Sequence, residues 1–220
     1  MDGGLYFPES IPQISQDEMD RWSTLSYPEL LKQIMPLFIS PEEIPVVDLH
    51  GLVDRSFKKF SGMNSLNCYP HLSQCLTFPD PSVVKIANLK NGLNVAELFH
   101  GPTMAFKDLA LGVVGELYNY FLERSKKHCI VLVGTSGDTG SAAISAVRGL
   151  SAIDIIVLLP GGRCTKIQQL QMTTVNEKNV HNFVGRNSRQ KTEFFVLFTK
   201  SSARLYSAGN LNNQNKLFYS

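Results

Sequence analysis

The sequence predicts an α/β fold, in which an open parallel sheet follows a helical N-terminal region. Three observations support this prediction. Hydrophobic residues make up 43% of the 220 residues and charged residues 18%, which is typical of a globular chain. Serine-initiated capping boxes precede apolar helical patterns near the N-terminus. After residue 92, short β-branched runs alternate with segments of helical period, which favours parallel strands joined by right-handed crossovers.

Two helices are expected in the N-terminal region. The first is predicted over residues 26–38, where Ser26 and Glu29 form a capping box. A second capping box, formed by Ser40 and Glu43, predicts the start of another helix. The apolar residues of that helix should lie near one side: Ile44, Val47, Leu52, Val53 and Phe57.

The stretch from residue 62 to 81 is rich in Asn and Pro and has no periodicity, so we expect a loop or insertion there. Strands and helices then alternate. Strands are predicted at about 93–99, 129–133, 153–159 and 179–184, and helices at 106–124, 139–148 and 165–174. Ligands of such sheets bind beyond the carboxyl ends of the strands, which is where the two motifs described next fall.

A single lysine stands where a turn becomes a helix. Gly101 and Pro102 interrupt the preceding segment, and the apolar helical pattern begins at Phe106, so Lys107 lies in the first turn. The helix dipole opposes a cation at this position and favours the neutral amine, which is the form that makes a Schiff base with an aldehyde cofactor. The alternative is a surface lysine paired with Asp108 or another neighbour.

A glycine-rich turn follows the β-branched run at 129–133 and opens the next predicted helix. Its glycines, Gly134, Gly137 and Gly140, have the spacing G-x-x-G-x-x-G, so they match neither the dinucleotide-binding motif nor a P-loop. Backbone N–H groups of such a turn can face a phosphate or carboxylate at the positive end of a helix. Hydroxyl groups would add to them from Thr135, Ser136 and Thr139. The alternative is an ordinary strand-to-helix turn capped by Asp138.

Taken together, the segments 100–108 and 135–141 resemble the lysine motif and the substrate-side loop of the threonine synthase family, whose members use pyridoxal 5'-phosphate (PLP). The segment 22–28 resembles in particular the animal members of this family, the threonine synthase-like 2 branch. Further segments continue the resemblance: 2–8, 91–98, 155–160 and 164–174.

This resemblance covers about residues 2–181 and implies an incomplete tryptophan-synthase-β-like fold, which is fold type II of the PLP enzymes. It implies that Lys107 holds the cofactor as a Schiff base and is the catalytic residue. The loop residues that it assigns to cofactor binding are Ser136, Gly137, Asp138 and Thr139. PLP would act as the electron sink of the reaction.

The resemblance also implies a substrate and a reaction. The substrate would be a small phosphorylated amino acid, O-phosphohomoserine or O-phosphothreonine. Animal members resemble phospho-lyases, which would convert it to 2-oxobutyrate, phosphate and ammonia. The alternative is a truncated, non-catalytic isoform that acts as an interaction or signalling protein.

The end of the chain suggests the alternative of a truncated, non-catalytic isoform. Residues 1–92 are expected to form a helical and loop region, residues 93–181 the α/β core portion, and residues 182–220 a divergent basic tail. Through residue 181 there are fifteen Lys and Arg against eighteen Asp and Glu, whereas the tail holds six basic residues and one acidic residue. We interpret the tail as an alternative C-terminus, because it does not resemble the family.

Composition also limits the classes of partner that we expect for this chain. A net charge of +2 gives no reason to expect nucleic acid, and no apolar stretch is long enough to span a membrane. The N-terminus lacks the features of a signal peptide, and the four cysteines favour free thiols in a reducing compartment, so a cytoplasmic location is expected, with export by another route left open. The spacing of the five histidines predicts no metal site.

Overall fold

The computed structural model describes residues 7–61, 83–135, 137–185 and 195–200. Three of the sequence-based predictions lie wholly or mostly outside these residues: the loop over 62–81, the cofactor-binding role of Ser136 and the divergent basic tail over 182–220. In the described part of the chain, no helix is both long enough and apolar enough to cross a membrane.

The chain begins with two short helices, α1 (Gln16–Trp22) and α2 (Tyr27–Ile34). The predicted capping box at α2 is confirmed, because the Glu29 carboxylate accepts hydrogen bonds from both the backbone N–H and the hydroxyl of Ser26. The predicted helix over 26–38 is shorter than expected. It continues after α2 only as a 3₁₀ helix, Met35–Leu37, because Pro36 has no N–H to extend the α-helical ladder. Helix α1 was not predicted.

The second predicted helix begins later than the sequence indicates. Helix α3 (Val46–Ser61) starts after Pro45, whereas Ser40 and Glu43 close an isolated turn. Val47 is 76% exposed, so its predicted place on the apolar side is wrong. The side of α3 that packs into the core instead carries Leu49, Leu52, Val53 and Phe57.

The strand predicted at about 93–99 exists but does not join the main sheet. Strands β1 (Lys85–Asn88) and β2 (Asn94–Glu97) form an antiparallel hairpin of their own, in which Ile86 lies opposite Ala96. The prediction that β2 belongs to the parallel sheet is therefore wrong. The short connection between β1 and β2 allows an antiparallel hairpin, which competes with a crossover to the distant sheet.

From residue 107 onward the structure follows the predicted alternation, with boundaries that differ from the prediction by at most one residue through β5. The elements are α4 (Lys107–Arg124), β3 (Cys129–Gly134), α5 (Asp138–Val147), β4 (Ile153–Pro160), α6 (Lys166–Thr173), β5 (Val180–Gly185) and β6 (Phe195–Lys200). The strand order in the main sheet is β5-β4-β3-β6. Strands β3, β4 and β5 are parallel, as predicted, but β6 pairs antiparallel with β3 and makes the sheet mixed.

The main core lies between the sheet and its helices. Alternate residues of β3 and β4 are buried, and they pack against α5 and against Met172 of α6. The most deeply buried members are Val133, Ile144, Ile153, Ile155, Val157 and Met172. Burial of such side chains is the main favourable contribution to folding. The predicted α/β fold class is confirmed, and this core fixes the positions of α5 and α6 on the sheet.

Candidate active site

The turn that precedes Lys107 is closed by a buried carboxylate. Asp108 is 4% exposed; its Oδ2 accepts a hydrogen bond from the Thr103 backbone N–H at 2.8 Å, and its Oδ1 accepts one from the Thr103 hydroxyl at 2.7 Å. Burial raises the pKa of the Asp108 carboxyl, although these hydrogen bonds oppose the shift. Gly101 is required here, since a Cβ at this position would lie 2.4 Å from Asp108 Oδ2.

Lys107 is the first residue of α4 and is partly exposed. Its Nζ lies 4.5 Å from the centroid of the Phe106 ring, which is a cation–π distance. Among the described residues Lys107 forms no ion pair, so pairing with Asp108 is not found; the Asp108 carboxylate binds Thr103 instead. The lysine therefore has no charged partner within the described chain that would hold its amine away from a ligand.

The glycine-rich turn is organised by Thr135, which is 1% exposed. Its hydroxyl oxygen accepts hydrogen bonds from the backbone N–H groups of Gly137 and Gly140, both at 3.1 Å. Thr135 therefore caps α5, and the alternative in which Asp138 is the cap is wrong because Asp138 is already the first residue of the helix. The expectation that the Thr135 hydroxyl faces an anion is also wrong, since it is used inside the turn.

Two of the three glycines of this turn, Gly137 and Gly140, are enclosed by neighbouring side chains. A Cβ at Gly140 would lie 2.3 Å from Thr135 Cγ2 and 2.5 Å from Met172 Sδ, and one at Gly137 would lie 2.7 Å from Gln168 Nε2. A side chain at Gly140 would overlap the buried Thr135, whereas one at Gly137 would displace the Gln168 side chain. The first-turn N–H groups of α5 that Thr135 does not bind, those of Asp138 and Thr139, have no carbonyl of their own helix to accept them.

Thr139 provides an unusual polar atom. Its hydroxyl oxygen is buried and has no hydrogen-bond partner in the described part of the chain. The residue lines an apolar cavity of about 60 Å³ between α4, α5 and β3, with Leu111, Val131 and Ala143 among the other lining residues. A buried hydroxyl without a partner costs free energy, and a bound ligand or water could supply the missing hydrogen bond.

The close packing of α4 and α5 brings the two motifs together. A Cβ at Gly115 of α4 would lie 3.0 Å from the backbone oxygen of Ala146 in α5, so the two backbones are almost in contact. Nearer the start of both helices, Asp108 and Ala142 line the same small cavity. Because the contacts follow the same order along both helices, the first turns of α4 and α5, with Lys107 and the glycine turn, lie at the same end.

Helix α6 contacts both motifs, which the sequence did not predict. Gln168 Nε2 donates to Asp138 Oδ1 at 2.8 Å, and Gln171 Nε2 donates to the Thr103 backbone oxygen at 3.4 Å. The one signal in the sequence is the capping box of α6, in which Thr165 is the N-cap and Gln168 the third helical residue. A capping box explains why Gln168 is suited to the helix but does not indicate its second partner.

The described residues hold no group of three His, Cys, Asp or Glu side chains that could bind a metal ion. The described residues bring to the site one primary amine, the N-terminus of α5 and the polar groups around them. This set can bond covalently to a carbonyl compound and bind an anion.

Comparison with known proteins identifies relatives of this chain. A family model described as the threonine synthase N terminus matches residues 1–57. Threonine synthase-like 2 of Xenopus laevis is 53% identical over 182 residues, which represent 83% of this chain and 35% of the relative. This chain thus spans about one third of the length of the curated relatives that it matches.

Solved structures give the same result. The crystal structure of threonine synthase from yeast superposes with a TM-score of 0.71 at 41% identity, over 83% of this chain and 35% of that one. The X-ray structure of PLP-bound threonine synthase from Brucella melitensis also gives a TM-score of 0.71, at 32% identity, over 82% of this chain and 35% of that one. Over about four fifths of its length, the chain therefore matches a partial segment of the threonine synthase family in both sequence and fold.

Proposed function

We propose that this chain carries the lysine and one anion-binding loop of a PLP-dependent, threonine synthase-like phospho-lyase. The observation that carries the proposal is the convergence of the first turns of α4 and α5, which brings Lys107 and the glycine turn to one end of a helix pair. The similarity to threonine synthases, one of them PLP-bound, supports PLP as the cofactor.

The residues present fit this cofactor. PLP offers an aldehyde and a phosphate, and this site offers a partly exposed primary amine and a helix N-terminus. The unpartnered Thr139 hydroxyl is consistent with a polar ligand at the start of α5. When bound, PLP would supply the electron sink for carbanion chemistry.

Each group of the chain would have a defined task. The Lys107 amine would hold PLP at its aldehyde carbon, with loss of one water molecule. Once the substrate amine has replaced it there, the freed Lys107 Nζ would take up and return a proton at the substrate Cα. The N–H groups of Asp138 and Thr139, together with Ser136, would bind the phosphate or carboxylate of the cofactor or substrate. Gly137, whose N–H is held by the Thr135 hydroxyl oxygen, would contribute through the shape of the turn. Asp108 and Thr103 would hold the turn that orients the lysine.

The substrate that we propose is O-phosphohomoserine or O-phosphothreonine. The reaction would consume one water molecule and give 2-oxobutyrate, inorganic phosphate and ammonia, so the carbon–oxygen bond to phosphate and the carbon–nitrogen bond are both broken. A phosphorylated substrate agrees with an anion site beside the lysine, because the dipole of α5 favours negative charge at its first turn.

The proposal is tested by adding PLP to the purified chain and recording the visible absorption band of a lysine Schiff base. Borohydride reduction followed by peptide mapping then identifies the modified residue. We expect the label on Lys107, and we expect Lys107→Ala to lack the band. Lys166→Ala is the matched control, because Lys166 is also the first residue of a helix. If the wild type forms no band, or if Lys166 is labelled as strongly as Lys107, the proposed function is wrong.

The reaction is tested separately by release of inorganic phosphate and of 2-oxobutyrate from each candidate substrate. We expect both products in equal amounts with the wild type and none with Lys107→Ala. Phosphate release without 2-oxobutyrate would contradict the phospho-lyase and indicate simple hydrolysis.

A further inference from the structure

We infer that Gln168 and Gln171 of α6 are positioning residues that brace the glycine turn against the lysine turn, so that the N-terminus of α5 is free to accept an anion. The inference rests on the proposed function, because it concerns the anion and the lysine of that site. Neither glutamine lies in the lysine motif or in the glycine-rich turn.

The orientation of the Gln168 amide is fixed by its own helix. Its Oε1 accepts hydrogen bonds from the Thr165 backbone N–H at 3.2 Å and from the Thr165 hydroxyl at 3.0 Å. Since the oxygen is committed to the cap of α6, the amide nitrogen must point away from it. That nitrogen donates to Asp138 Oδ1 at 2.8 Å and lies where a side chain on Gly137 would be.

The hydrogen bond from Gln168 to Asp138 affects the negative charge at the first turn of α5. Asp138 is the first residue of the helix, and its carboxylate would repel an anion that approaches the same turn. The hydrogen bond from Gln168 holds the carboxylate on the side of α6. It also uses one lone pair of the carboxylate that could otherwise accept from the N–H groups of the turn.

Gln171 extends the brace to the lysine turn. It lies three residues after Gln168, on the same face of α6, and its Nε2 donates to the Thr103 backbone oxygen at 3.4 Å. Thr103 in turn is bound by Asp108, which adjoins Lys107. One face of α6 is therefore linked to both motifs, although the two lie about thirty residues apart in the sequence.

Three variants separate this role from helix stability. Gln168→Glu keeps an acceptor for the capping box but sets a carboxylate against Asp138, so it breaks the brace and also adds one negative charge. Thr165→Ala removes the hydroxyl of the cap, but the backbone N–H of residue 165 still binds the Gln168 Oε1 and keeps the Gln168 nitrogen directed at Asp138. Gln169→Glu is the charge control, because Gln169 is the exposed neighbour of Gln168 and has the same amide side chain.

Two readouts are measured in each variant. The first is amide hydrogen exchange of Gly137 to Gly140 in the chain without PLP. The second is affinity, from the Schiff-base band for PLP and from the amide chemical shifts of the same turn for inorganic phosphate. We expect Gln168→Glu to speed exchange in this turn and to weaken both ligands about tenfold, as the loss of a charged hydrogen bond predicts. Gln169→Glu and Thr165→Ala should change both affinities by less than about twofold.

Failure of this inference is distinct from failure of the proposed function. If the wild type forms no Schiff-base band, the proposed function fails, and the inference is then judged on the phosphate titration and on exchange alone. Equal effects of Gln168→Glu and Gln169→Glu on affinity would overturn it, since the effect would then be general charge. It is also overturned if Gln168→Glu leaves exchange in the turn unchanged, or if the wild type binds neither PLP nor phosphate.

Discussion

Asp108 binds Thr103 through both of its carboxylate oxygens, at 2.8 Å to the backbone N–H and 2.7 Å to the hydroxyl. The turn before Lys107 is therefore closed by the residue that follows it. This arrangement positions the lysine without any direct contact to its amine from the carboxylate. It also places a buried titratable group in the first turn of α4.

We expect Asp108→Asn to remove a pH dependence of stability. Burial raises the pKa of Asp108 in the folded chain above its ordinary value of 3.8, so the folded state binds this proton more tightly than the unfolded state. The stability contributed by the protonated form is fully present below pH 3.8 and is lost as the pH rises through the folded pKa. The free energy of unfolding of the wild type minus that of the variant should therefore fall over this window.

Urea unfolding at a series of pH values measures this difference, which cancels the contributions of other carboxyl groups. Above the folded pKa the difference should become constant. A difference that rises with pH in this window would show that the hydrogen bonds from Thr103 outweigh burial.

Gly140→Ala should destabilise the chain by about 1–3 kcal/mol, because the new Cβ overlaps buried atoms. It would lie 2.3 Å from Thr135 Cγ2 and 2.5 Å from Met172 Sδ. Gly112→Ala in α4 is the matched control, since its nearest neighbour, Ser56 O, is 3.6 Å away. There we expect no loss and a gain of up to about 1 kcal/mol from helix propensity. Thermal unfolding compares the two, and equal losses would contradict the packing argument.

Substitution of Asn179 should lower the free energy of unfolding more than substitution of most other polar residues. Its Nδ2 donates to the backbone oxygens of Val147, Leu150 and Ile153 at 2.9, 3.2 and 2.8 Å, and its Oδ1 accepts from the Gly149 N–H at 3.0 Å. Asn179→Ala should cost about 2–3 kcal/mol, because several partly buried carbonyls lose their donor.

Asn179→Asp tests the same contacts by replacing the amide donor with a carboxyl group that can be ionised. An ionised carboxylate would face the carbonyl oxygens, so the folded chain should prefer the protonated form and raise the pKa of the new carboxyl. The stability of this variant should therefore decrease as the pH rises from acid to neutral. Chemical denaturation at pH 4 and pH 7 measures the effect. If the difference in unfolding free energy between variant and wild type is the same at pH 4 and pH 7, this expectation is wrong.

The ion pair between Arg55 of α3 and Glu116 of α4 should contribute to stability mainly because Glu116 is buried. The Arg55 Nε lies 2.9 Å from Glu116 Oε2, and the Glu116 side chain is only 9% exposed. Arg55→Met should cost about 1–3 kcal/mol, because it leaves a buried charge without its partner. Adding Glu116→Gln should recover most of this loss. A double-mutant cycle measures the coupling, and additive effects would mean that the pair contributes nothing.

Much of the fold could be predicted because its signals are local. Helices α2, α4, α5 and α6 have apolar periods that can be read within a few turns, and β3 and β4 are β-branched runs. The errors in strand pairing have two causes. β2 was assigned to the main sheet because its near neighbour β1 was not predicted as a strand, so the local hairpin was missed. The antiparallel addition of β6 depends on β3, which lies about sixty residues earlier in the chain.

Some residues of the candidate site could likewise be predicted from local sequence, and others could not. Lys107 and the glycine turn are continuous motifs, so the sequence could point to them before the structure was known. The roles of Thr135 and Asp138 could not be assigned in this way, because either side chain could cap the turn. Gln168 and Gln171 were missed because their partners lie about 30 and 68 residues away in the chain.

The close approach of Gly115 to Ala146 has a consequence for redesign of the site. At this crossing the helices already touch backbone to backbone, with no side chain on Gly115 between them. Substitution at position 115 can therefore only widen the gap between the two helices; it cannot narrow it. A graded series from alanine to larger residues would act as a wedge against the Ala146 backbone and would force α4 and α5 apart where they cross.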